Sequence, residues 1–153
     1  MLFRSLDEGT AAAEAMAMSF AARKNKSSKV YLVESNVFDH TFNVLQTRAK
    51  PLGISLKRFT QSSLPNLDDV FGILLQLPGK NGELYDPTFL ISHAHRSEII
   101  VTACIDPLAQ VLIKPISEFG VDVAVGVCKD LVFQWVLVAP MQHILLVAKN
   151  IKG

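Results

Sequence analysis

Apolar residues fall along this chain in short blocks whose spacing changes from helical to strand-like and back. Asp7-Glu8-Gly9-Thr10 reads as a helix entry, because acidic side chains suit the positive end of a helix dipole. Ala11 to Ala22 follows with strong helix formers, among them Glu14, Met16 and Met18. Lys29 to Val33 is a β-rich run. Ser35 or Asn36 is placed to cap a second helix, in which Val37, Phe42, Val44 and Leu45 give a mixed helical period and which Pro51 and Gly53 end. Ile54 to Phe59 reads as a strand, and Ser62 to Asp69, polar and containing Pro65, as a loop. Val70 to Leu77 is almost continuously apolar, as a strand covered on both faces should be. After the turn cluster Pro78-Gly79-Lys80-Asn81-Gly82, Pro87 opens a short helix toward Arg96. Ile99 to Ile105 and Val121 to Val125 read as two more strands, with a break at Lys114-Pro115 between them. This alternation predicts an α/β layer structure with a largely parallel sheet.

The chain has 153 residues, half of them hydrophobic, and a formal net charge of +1. That fits one globular domain or part of one. Basic residues are scattered except for Arg23-Lys24-Asn25-Lys26, which suits a solvated helix C-terminus, so nucleic acid is not an expected partner. Cys104 and Cys128 form no disulfide framework, which points to a reducing interior. No signal-peptide pattern is visible. The apolar run Leu131 to Ala148 is interrupted by Gln134, Pro140, Gln142 and His143, so no membrane partner is expected.

Local chemistry is sparse. Gly9-Thr10 at a helix start offers free amides and close approach for a phosphate, against the plainer reading of a glycine with a capping threonine. Asp106 follows an apolar strand, where a carboxylate can meet a ligand or a cofactor ring nitrogen, against the plainer reading of a turn aspartate before Pro107. His93 and His95 do not share a helix face, and His40 and His143 have no companions nearby, so no metal site is expected. Asp68-Asp69 reads as a solvated pair.

Four segments carry more. Leu6-Asp7-Glu8-Gly9-Thr10-Ala11-Ala12-Ala13-Glu14-Ala15-Met16 resembles a signature of the glycine decarboxylase P-protein family. Gln46-Thr47-Arg48-Ala49 with Pro51-Leu52-Gly53-Ile54, Phe71-Gly72 through Gln76 to Asp86, and Pro115 through Glu118-Phe119-Gly120 to Gly126 resemble it again, in family order. The resemblance covers residues 6-126 and implies a partial large domain of the aspartate-aminotransferase-like fold of pyridoxal-phosphate enzymes (fold type I). It implies glycine decarboxylation with transfer of an aminomethyl group to the lipoyl arm of the H-protein. The partners implied are that lipoylated protein and the carboxyl-terminal half of the P-protein, which bears the cofactor lysine. By the same resemblance Gly9, Thr10, Phe38 and Asp106 stand at cofactor-binding positions, with a vestigial role open to them in this amino-terminal half; no catalytic residue is assigned. Where the family reads His-Pro-Gln-Thr, this chain has Phe38-Asp39-His40-Thr41, so Phe38 takes the place of a stacking ring. The resemblance further implies a cytoplasmic setting in a bacterium, or a mitochondrial one in a eukaryote.

After Gly126 the likeness stops. Val127 to Leu145 can be back-translated so that one restored A yields Ser-Val-Gln-Arg-Phe-Gly-Val-Pro-Met-Gly-Phe-Gly-Gly-Pro-His-Ala-Ala-Tyr-Leu, the continuation the family shows. Trp135 and Met141, with a single codon each, both fit. Residues 127-153 therefore read as an out-of-frame apolar tail. A non-catalytic partner domain and a pseudogene product are the competing expectations.

Overall fold

In the computed structural model, residues 7–61, 63, 66–106, 108–126 and the backbone of 147–148 are described. Helix α1 spans Glu8–Ala22, strand β1 Val30–Glu34, helix α2 Asp39–Ala49 and strand β2 Ser55–Phe59. Strand β3 spans Val70–Leu77, helix α3 Thr88–Arg96, strand β4 Ile100–Ile105, strand β5 Val123–Gly126 and strand β6 Val147–Ala148. The sheet order is β2-β1-β3-β4-β5-β6; the first five strands are parallel and β6 pairs antiparallel with β5. The expected α/β architecture with a mostly parallel sheet and flanking helices is therefore present.

Side chains alternate across a strand, so the sheet divides the interior in two. Tyr31, Val33, Leu74, Cys104, Val123 and Val125 pack on one side against α1 and α2. Leu32, Ile73, Leu75, Leu77, Val101 and Ala103 pack on the other against Leu90, Ile91 and Ala94 of α3. All eight residues of β3 are buried, as its apolar run predicts. The sheet-facing side of α1 is almost all alanine (Ala11, Ala12, Ala15) with Met16, so the helix can sit close. On β3, Gly72 lies opposite Tyr31, and a Cβ there would stand 2.5 Å from Tyr31 Cε2; the missing side chain makes room for the buried ring.

Asp7 caps α1, and its side chain accepts from the Thr10 amide at 2.7 Å. At the other end the Arg23 guanidinium donates to the Phe20 and Lys26 carbonyls, and Lys24 pairs with Glu98, so the basic run does close a helix terminus. The cap expected at Ser35 or Asn36 is not used. α2 begins at Asp39 after Phe38, and the Ser35 hydroxyl instead donates to the Phe59 carbonyl at 2.9 Å, tying β1 to β2. A 3-10 turn at Lys50–Leu52 and left-handed Gly53 (φ 66°) end α2, as Pro51 and Gly53 predict. The final parallel strand starts at Val123, two residues later than the apolar pattern indicates, because Asp122 turns its carboxylate back to the Val101 amide.

Candidate functional site at the carboxyl rim of the sheet

Parallel strands place their carboxyl ends along one rim, and helices that follow strands start or end above it. Here α1 and α2 both begin at that rim, next to the end of β4. Glu8 at the first position of α1 lies within electrostatic reach of His40 and Asp106, and the Thr41 hydroxyl faces its carboxyl. Gly9-Thr10, Phe38 and Asp106 are thus placed on neighbouring elements of one rim.

The local details differ from a phosphate cradle. Asp7 Oδ1 takes the Thr10 amide and Asp7 Oδ2 takes the Thr10 hydroxyl at 2.9 Å, so the chain's own carboxylate occupies the helix start. A Cβ on Gly9 would meet Val44 Cγ2 at 3.2 Å; the glycine serves the close approach of α1 and α2. Burial pushes the Glu8 carboxyl above its ordinary range; His40 and the Thr41 hydroxyl counter this, and Asp106 and Asp7 add to it. Phe38 stacks on His40 with centroids 5.4 Å apart and planes 14° from parallel, so one ring face is already covered. Asp106 Oδ1 accepts from the Leu108 amide at 2.8 Å in a turn, and the Asp106 amide donates to the Leu77 carbonyl at 3.1 Å. Among the described residues, the Asp7, Glu8 and Asp106 carboxylates bear on this helix start, and His40 is the one group beside Glu8 that can carry positive charge. A dianionic phosphate would meet like charge there, so the described residues do not fit the phosphate end of pyridoxal phosphate.

Among the described residues, Glu8 Oε1, Thr41 Oγ1 and Gln76 Oε1 are buried beneath the rim without a fully formed hydrogen bond. The Thr41 hydroxyl faces Glu8 without closing a well-formed bond. Cys104 is a fully buried thiol, pushed up by burial and then by Glu8. On the other side of the sheet Glu34, 1% exposed, accepts from Gln61 Nε2 (2.6 Å), the Tyr85 hydroxyl (2.7 Å) and the Gln76 amide (3.2 Å). Burial, then the Glu34 carboxylate, pushes the Tyr85 hydroxyl up. The motifs take in Thr41 and Gln76 without giving them a role, and Glu34 lies outside them. A signal existed for Glu34: like Asp106, it is a carboxylate directly after an apolar strand run.

The remaining candidates are structural. His95 Nε2 lies 3.0 Å from Asp122 Oδ2 and His93 stacks against Phe89. Asp68 accepts from Asn66, and the Asp69 carbonyl accepts from the Val30 amide. Among the described residues no group of acidic, histidine and cysteine side chains could hold a metal, and no helix is long and apolar enough to cross a membrane. His143 and residues 127–146 lie outside the described residues.

Comparison with known proteins places this geometry. The family described as glycine cleavage system P-protein matches residues 4–133, running past the Gly126 at which the motif likeness stops. A glycine dehydrogenase (decarboxylating) of Prochlorococcus marinus (strain NATL1A) is 55% identical over 121 residues, which is 79% of this chain and 12% of that protein. The chain thus spans about an eighth of the length of such relatives. A crystal structure of glycine decarboxylase (P-protein) in inhibitor-bound form superposes with TM-score 0.82 at 24% identity, covering 96% of this chain and 34% of that one. A putative O-acetylhomoserine (thiol)-lyase of Campylobacter jejuni, solved with a pyridoxyl-lysine phosphate group, superposes with TM-score 0.70 at 16% identity, covering 94% and 36%. The architecture is the one shared by these proteins and by aspartate aminotransferase.

Proposed function

The chain belongs to the glycine cleavage system P-protein family, and on that premise we propose that it is the sheet-building segment of the amino-terminal half of a glycine decarboxylase. The whole protein would decarboxylate glycine with pyridoxal phosphate and pass the aminomethyl group to the lipoyl arm of the H-protein. This segment contributes scaffold to that work, and the carboxyl-terminal half supplies the lysine and the cofactor pocket. One observation carries the assignment of roles: Asp7 occupies the helix start at Gly9-Thr10, with Glu8 and Asp106 adding like charge. Gly9, Thr10, Phe38 and Asp106 are on this reading the remains of a cofactor frame. Bacterial relatives favour a cytoplasmic setting. The domain is taken to end near Gly126, with residues 127–153 the product of a shifted reading frame.

The test is to mix the full chain with pyridoxal phosphate and glycine. The expected result is no visible absorbance band that survives dialysis and no glycine–bicarbonate exchange above blank. A stable band fixed by borohydride onto a lysine of this chain would overturn the proposal.

A further inference from the structure

Folded chains turn large apolar side chains inward and polar ones outward, and the connection from β4 to β5 reverses that order. A 3-10 turn at Ala109–Val111 lies in this connection. Its polar residue is turned inward: Gln110 Oε1 accepts from the amide of buried Ile116 at 2.8 Å. Its large apolar residues are turned outward, with Leu108 61%, Val111 80% and Leu112 83% exposed. The spacing puts them on one face, since positions i, i+3 and i+4 are neighbours on a helical surface. The Val111 and Leu112 amides donate to the Leu108 and Ala109 carbonyls at 3.1 and 3.0 Å, which holds that face in shape. A lone exposed apolar residue is ordinary, but three on one face of one turn form a stripe.

Opposite charges stand at the two ends of the stripe. Asp106 is exposed at its start, with Oδ1 on the Leu108 amide at 2.8 Å. Lys114 is exposed at its end, 3.7 Å from the exposed Glu118, a long surface pair that is weak enough to exchange. Acid, apolar stripe and base in that order complement themselves when reversed, as a two-fold contact requires. We propose that this turn is a self-association face, on which a second copy of the chain lies antiparallel about a two-fold axis. Leu108, Val111 and Leu112 of the two copies cover each other, and the Asp106 of each copy meets the Lys114 of the other. A partner of one charge would satisfy only one end of the stripe. The contact is small, so the dimer is expected to form on the order of 100 µM. The inference is independent of the proposed role in glycine decarboxylation, because it rests on the surface of one turn.

Sedimentation equilibrium of the full chain, from about 10 µM to about 1 mM at low salt, tests it. A monomer–dimer equilibrium is expected. Val111→Asp and Leu112→Asp, both at exposed positions, should keep the parent Tm and weaken the dimer by about tenfold or more. Lys114→Glu should weaken it several-fold at low salt and little at about 1 M salt, where exposed charges are screened. A chain that stays monomeric at about 1 mM overturns the proposal and leaves the stripe to a different polypeptide. Association that survives Leu112→Asp overturns it by moving the contact elsewhere. Association that Lys114→Glu leaves unchanged at low salt overturns the antiparallel arrangement, and the proposal with it. None of these outcomes alters the result of mixing the chain with pyridoxal phosphate and glycine, so either proposal can fail alone.

Discussion

Glu8 holds its carboxyl partly out of water at the first turn of α1, and burial raises its proton affinity above that of the unfolded chain. The folded state therefore binds a proton that the unfolded state releases, and ionising Glu8 weakens the fold as pH rises from the ordinary value of 4.5 through its raised value. Glu8→Gln is expected to raise Tm at pH 7, with the gain fading as pH falls below 4.5; a gain independent of pH would contradict the burial argument. Glu34 differs, because three donors satisfy it. Glu34→Ala strands the Tyr85 hydroxyl and the Gln76 amide in a dry interior and should cost about 3 kcal/mol in urea unfolding. Tyr85→Phe, which leaves two donors on the carboxylate, should cost about 1.5 kcal/mol. A loss under 0.5 kcal/mol for the alanine variant, by the usual scatter of surface substitutions, would mean that the network is open to water. Such clusters were illegible beforehand: Glu34, Gln76 and Tyr85 are far apart in sequence, and only the sheet brings them together.

The elements were far more legible. Val70 to Leu77 announced a strand covered on both faces, and β3 is one. Gly53 and Pro51 marked the end of α2 correctly. The cap at Ser35 failed because its hydroxyl found a partner across the sheet, a competition no local pattern records. Between elements, the fit of Gly72 to Tyr31 fixes how β1 and β3 lie side by side. Gly72→Ala forces a methyl into the ring and should cost about 1–3 kcal/mol. In a Tyr31→Leu background the same substitution should cost markedly less, which a double-mutant cycle would measure as a coupling of about 1 kcal/mol. Additive losses would show that the two residues do not meet.

At the scale of the molecule, a resemblance carried by four motifs predicted the fold, and the family match and the superposition on a solved P-protein agree with it. What the motifs could not supply was how the rim charges are used, although Asp7 and Glu8 both stand in the first of them. Asp7 takes both the Thr10 amide and the Thr10 hydroxyl, a contact that only the capped helix start displays. The sheet's partition of the interior has one further consequence. Glu8 and Thr41 sit on the side of α1 and α2, while Leu90, Ile91 and Ala94 of α3 pack on the opposite face of the fully buried strand β3. A side chain changed in the α3 layer is thus separated by the sheet from Glu8 and Thr41, and its first effect falls on the buried packing of Leu90, Ile91 and Ala94.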